Sequence, residues 1–164
     1  MGIYLNPTKI GFQDAVRSEI YVDKSELIAY TNRCIGTEQK FICVSRPRRF
    51  GKSMAAKMLS AYYCRTCDSE DLFMNLKISK AASYKEHLNQ YNVLFINMQR
   101  FLSRSGDMEK MLGNLQSAIL EELREDYAAY FSSTEASLVS ALEKIYAKTE
   151  QGFIFIIDEW DCVF

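Results

Sequence analysis

The stretch "SRPRRFGKSM" (Ser45–Met54) closes on Gly51-Lys52-Ser53, the end of the G-x-x-x-x-G-K-[ST] pattern of a phosphate-binding loop. Arg46 stands where that pattern has its first glycine. A working loop needs a buried strand before it and a helix after it, because backbone N–H groups and the helix N-terminus hold the phosphates. "FICVS" (residues 41–45) precedes it and reads as the strand. "KSMAAKMLSAYY" (residues 52–63), rich in helix formers and free of breakers, follows it. Gly51 lets the backbone approach a phosphate without a Cβ in the way, Lys52 is placed to reach the β- and γ-phosphates, and the Ser53 hydroxyl suits Mg²⁺. Pro47 fixes its own φ and pushes Arg46 toward an extended conformation, so the loop is entered differently from the usual pattern. Arg46, Arg48 and Arg49 beside Lys52 make a positive patch fit for polyphosphate or a partner's carboxylates. The bland alternative is a solvated basic turn.

Working outward, "VLFINM" (residues 93–98) and "FIFIID" (residues 153–158) join "FICVS" as near-continuous apolar runs, which predicts parallel strands covered on both faces. Between them the period turns helical. Asp23, with Glu26 three residues on, predicts a capped helix through about Cys34. Met108, Met111, Leu112, Leu115, Ile119, Leu123 and Tyr127 recur at helical spacing and predict one long amphipathic helix, with the acids of "EELRED" (residues 121–126) on its wet face. Ser132 and Glu135 box the start of another, with Leu138, Ala141, Leu142, Ile145 and Tyr146 on its apolar face and Gly152 as its stop. Strands separated by helices give an α/β fold with a parallel sheet. The last strand ends in Asp158-Glu159, the Walker B pattern. A strand-end carboxylate such as Asp158 can hold Mg²⁺, and Glu159 beside it is suited to orienting or deprotonating a water.

The 164 residues carry a formal net charge of -1 and a pI near 5.9, which gives no global support for a nucleic-acid or anionic-membrane partner. No apolar run approaches the ~20 residues of a bilayer span, and the N-terminus lacks the layout of a signal peptide, so the expectation is a cytoplasmic protein with no membrane partner. Five scattered cysteines agree with reduced thiols. Cys64 and Cys67 form a lone C-x-x-C, and with His87 the single histidine no zinc site is completed. Tyr62, Tyr63, Phe73, Tyr84 and Tyr91 read as core and rim packing. Asp23 and Lys24 either border the nucleotide or serve the helix start, and Asn97 either faces the site or closes a turn.

"IYVDKSELI" (residues 20–28), "RPRRFGKS" (residues 46–53) and "IIDEWD" (residues 156–161) together resemble the bacterial AAA-ATPase-like domain family, and the likeness extends over essentially the whole chain. An arginine at the first loop position is that family's habit, although Trp160 stands where the family more often shows tyrosine. The resemblance implies a three-layer P-loop NTPase, with an N-terminal helical segment (residues 1–40) ahead of a P-loop to Walker B core (residues 41–164). It implies Mg²⁺ with ATP. The nucleotide-binding residues are then Arg46, Pro47, Arg48, Arg49, Phe50, Gly51, Lys52, Ser53 and Met54, the metal-holding ones Ser53 and Asp158, and the catalytic ones Glu159 and Lys52. Relatives are typically longer and often carry a C-terminal restriction-endonuclease-like domain, so the chain is expected to be truncated after its Walker B strand, with that domain or a homo-oligomer as partner. A nucleotide-dependent switch with little turnover, in a DNA-processing or defence protein, is the competing expectation.

Overall fold

Two strands, β1 (Asn92–Asn97) and β2 (Phe153–Asp158), pair in parallel, with Asn92 opposite Phe153 and Asn97 opposite Asp158. The computed structural model describes residues 2–45, 49–105, 107–131 and 137–163. Its helices in chain order are α1 (Ile10–Val16), α2 (Glu26–Cys34), α3 (Lys52–Tyr63), α4 (Glu70–Phe73), α5 (Tyr84–His87), α6 (Met98–Ser105), α7 (Met108–Asp126) and α8 (Leu138–Thr149). The α/β class expected from the sequence is therefore present, built on a parallel pair. The chain divides into two compact units, one of Thr8–Tyr91 and one of Met1–Pro7 with Asn92–Phe164.

The unit that contains the sheet folds as its periodicity dictates. Met111, Leu115, Ile119 and Leu123 of α7 are buried with Leu94 and Ile96 of β1 and with Ala141 and Ile145 of α8 in one apolar cluster. Leu112 and Tyr146, expected on apolar faces, are instead exposed at 47% and 56%. The other edge of β1 is met by residues 4–6: Leu5 bridges Leu94 in antiparallel sense, and the Asn6 N–H donates to Val93 O at 2.7 Å. Glu122 is not merely on a wet face. Its carboxylate accepts N–H bonds from Ile3 (2.8 Å), Tyr4 (3.0 Å) and Leu5 (2.7 Å), tying the N-terminal segment to α7. The Ser132–Glu135 capping box lies outside the described residues. Ser137 precedes α8, its Oγ accepting from the Ser140 N–H at 3.4 Å. The helix is stopped by Glu150, left-handed at φ 55°, rather than by Gly152.

Two strand expectations need correction. Residues 41–45 are in no strand, and Phe41, Ile42 and Val44 are 87%, 37% and 45% exposed. The run has β-prone side chains, but β-propensity becomes a strand only when a ladder satisfies the backbone, and no ladder reaches this segment among the described residues. Coverage on both faces also fails for β2. Ile156 is buried, whereas Phe155 and Ile157 are half exposed, so this apolar run has one open face.

The unit of residues 8–91 packs around aromatic rings. Phe12 stacks on Phe73 at 5.0 Å, and Tyr62 meets Phe73 edge-on at 5.3 Å. Tyr62, Tyr63, Phe73 and Tyr84 are buried, as the packing role requires. The hydroxyls of Tyr62 and Tyr63 are satisfied: Tyr63 Oη donates to Asn32 Oδ1 at 2.7 Å and Tyr62 Oη to Tyr84 O at 2.7 Å. Burial pushes the Tyr62 phenol up to about 12.

Candidate functional site

The unit of residues 8–91 carries the loop. Gly51 ends it in the left-handed region (φ 79°), and its carbonyl accepts the Ala55 N–H at 2.9 Å, the first bond of α3. Only glycine takes that φ without steric cost. The next residues, Lys52, Ser53 and Met54, are therefore the first turn of α3, where helix N–H groups and the macrodipole favour an anion. No acidic side chain occupies that turn. Arg49 is also left-handed (φ 69°), a conformation costing a non-glycine residue ~1 kcal/mol or more, and Phe50 beside it is 60% exposed. Arg46, Pro47 and Arg48 lie outside the described residues.

Lys24 is the residue whose place the sequence left open. Its ammonium donates to Phe50 O at 2.6 Å, against the loop. A Cβ at position 51 would stand 3.0 Å from Lys24 Nζ, the end of an exposed side chain that can move aside, so φ is the demand that Gly51 meets. The backbone that presents Lys24 is pinned on both sides. Asp23 Oδ1 accepts the Ser25 N–H and Asp23 Oδ2 the Lys77 N–H, each at 2.8 Å, while buried Ser25 Oγ accepts the Ile78 N–H at 3.1 Å. Asp23 is thus an anchor between two segments rather than the N-cap of α2. Partial burial raises its pKa, but the bonds from Ser25 and Lys77 outweigh that and hold it below the ordinary 3.8.

The acidic pair sits in the unit that contains the sheet. Asp158 ends β2, is buried, and accepts the Glu159 N–H on Oδ1 at 3.1 Å. Glu159 is half-buried and left-handed (φ 55°), which turns the chain sharply off the strand into a 3₁₀ turn over Trp160–Val163. A left-handed φ costs a non-glycine residue ~1 kcal/mol or more. Asn97, opposite Asp158 in the ladder, accepts the Arg100 N–H on Oδ1 at 3.1 Å and so closes the turn into α6. Hydroxyl and carboxylate oxygens are the donors that hard Mg²⁺ takes, so the chemistry of Ser53 and Asp158 fits that ion.

Among the described residues no group of three or more His, Cys, Asp or Glu is arranged to hold a metal by itself. Cys64 and Cys67 are in no disulfide, and both residues are buried just past α3. Cys64 is lowered to about 6, chiefly because the Cys67 thiol hydrogen-bonds to it, and Cys67 is raised by the same bond and by burial.

Here the fold class is α/β, with a phosphate-loop sequence opening a helix and an acidic pair ending a strand. The family model for AAA-ATPase-like proteins, described as a predicted AAA-ATPase, matches residues 11–164, and the chain belongs to that family. No curated protein and no solved structure matches the chain. No helix among the described residues is long and apolar enough to cross a membrane.

Proposed function

We propose that the chain binds Mg²⁺-ATP on the loop from Arg46 to Met54 and, through Asp158 and Glu159, hydrolyses it in the P-loop manner. The observation that carries this reading is the left-handed Gly51 delivering Lys52 and Ser53 into the first turn of α3, with no acid there to compete for an anion. Lys52 balances charge on the β- and γ-phosphates as a point cation. Gly51 lets the backbone come close, and Arg49 and Phe50 border the entry. Ser53 and Asp158 would hold the ion, which when bound neutralises phosphate oxygens. Glu159 accepts the proton of the attacking water. The work is passed to a C-terminal nuclease-like domain, as the family resemblance implies.

Calorimetry with Lys52→Ala tests the site. The expected result is Mg²⁺-ATP affinity reduced by two orders of magnitude or more, on the order of 3 kcal/mol for a desolvated charge contact. Unchanged affinity would remove the nucleotide from this loop.

A further inference from the structure

We propose that Cys64 and Cys67 are a redox-active dithiol, closed to a disulfide by a hydroperoxide and reopened by a dithiol reductant, a modification site independent of the nucleotide reading above. The turn that ends α3 brings the two residues together. The Cys67 N–H donates to Cys64 O at 3.1 Å, and a turn closed in this way keeps its end Cα atoms within ~7 Å, the range in which a disulfide can form. The turn is itself fastened, since the Cys64 N–H donates to Ser60 O at 3.0 Å and the Arg65 N–H to Tyr91 O at 2.8 Å. Arg65 and Thr66 at its head are exposed, and the cysteines on either side are buried. Hydrogen peroxide is little larger than water and reaches the pair through a local opening of that turn.

The side chains converge as well. The Cys67 thiol hydrogen-bonds to Cys64 Sγ, Thr66 Oγ1 lies 3.3 Å from that sulfur, and the N–H groups of Thr66 and Cys67 bond to it too. Donors gather on one sulfur as they would on an anion. Two cysteines that only fill a core need no such arrangement; this one favours the thiolate, the form that reacts, and Cys64 is accordingly lowered to about 6. The Cys64 thiolate attacks one peroxide oxygen: an S–O bond forms, the O–O bond breaks, and the leaving oxygen takes a proton from solvent, the one Cys64 released on ionising. Cys67 then gives up its own proton and attacks Cys64 Sγ. The S–S bond forms, the S–O bond breaks, and hydroxide leaves with that proton as water. With hydrogen peroxide the two thiols lose two electrons and two waters form. Because Cys67 already touches Cys64, the second step outpaces further oxidation of Cys64. A dithiol reductant reverses the change by exchange and becomes a disulfide itself.

The experiment treats the full chain with hydrogen peroxide in small excess, alkylates the remaining thiols, and digests with trypsin without reduction. Cleavage after Arg65 leaves Cys64 (residues 58–65) and Cys67 (residues 66–77) on different peptides, so only a disulfide keeps them together. The expected result is the loss of two of the five thiols, recovered as that joined pair, while exposed Cys43 is still alkylated. Dithiothreitol should separate the peptides and restore all five thiols. Two variants assign the order of attack. Cys67→Ser should accumulate a sulfenic acid on Cys64, trapped by a cyclic dione, and Cys64→Ser should leave Cys67 alkylatable. The wild-type peptide map needs neither variant and decides the proposal by itself if they fail to fold. Oxidation of Cys43 or Cys162 while Cys64 and Cys67 stay alkylatable overturns the proposal and leaves two core cysteines. So does a joined pair that forms only in urea, or a Cys64 oxidised without being linked to Cys67.

Discussion

Replacing Asp23 by Asn asks whether one carboxylate holds the phosphate-loop side of the chain in place. The wild-type group accepts two backbone N–H bonds, from Ser25 and from Lys77, each at 2.8 Å. Hydrogen bonds to a charged acceptor contribute about 1.5–3 kcal/mol each when well buried. Asn keeps one oxygen for one donor but turns an NH₂ toward the other, and it loses the charge. Because Asp23 is partly open to water, the net cost at neutral pH should be nearer ~1–2 kcal/mol, or about 2–8 °C in melting temperature for a chain of this size. The pH dependence has a definite sign. The folded-state pKa is depressed below 3.8, so the stabilisation is fully present above that value and is lost as pH falls through the folded pKa. Asn does not titrate there. Melts followed by circular dichroism at pH 7 and pH 3 should show the wild-type advantage shrinking at the lower pH. An advantage that is the same at both, or an Asn variant as stable as wild type at pH 7, would refute the anchoring role.

Glu159→Gln should keep Mg²⁺-ATP binding while cutting phosphate release at least about a hundredfold, since size and polarity remain and the base is gone; wild-type turnover in a phosphate-release assay moves that role elsewhere. Glu122→Gln should lower the urea midpoint, by a stability loss of ~1–3 kcal/mol, because three N–H groups of residues 3–5 share its carboxylate. An unaltered midpoint would show that the N-terminal segment is held by Leu5 and Asn6 alone.

Much of the helical architecture was legible because period carries it. The spacing of Met111, Leu115, Ile119 and Leu123 fixed both the existence and the buried face of α7. Helix formers after Gly51 likewise marked α3. What the period could not carry was pairing. "FICVS" and "FIFIID" look alike as strings, yet β2 has β1 along its length and residues 41–45 have no ladder among the described residues. A strand is a relation between two segments, and composition describes only one of them. Helix ends were misjudged for a related reason. Asp23 has the chemistry of an N-cap, but its oxygens went to Ser25 and to Lys77, 54 residues away, and no local rule counts so distant a donor.

The site shows the same division between local and distant information. Gly51, Lys52 and Ser53 were found because the loop's chemistry demands adjacent residues in fixed order, and a left-handed glycine opening a helix is what that order needs. Lys24, which meets the loop at the Phe50 carbonyl, lies 26 residues before Phe50 and has no spacing rule to reveal it. At position 51 φ alone would admit an asparagine at modest cost, and the Lys24 ammonium, at the end of an exposed side chain, can move off the 3.0 Å approach that a Cβ would make. A Gly51→Asn variant therefore asks whether φ is the whole demand on that residue. If it is, asparagine should fold and bind Mg²⁺-ATP nearly as well as glycine, within about threefold by calorimetry. A loss of about tenfold or more in a variant that melts like wild type would show that the phosphate needs the bare backbone at position 51, the close approach that only glycine leaves open.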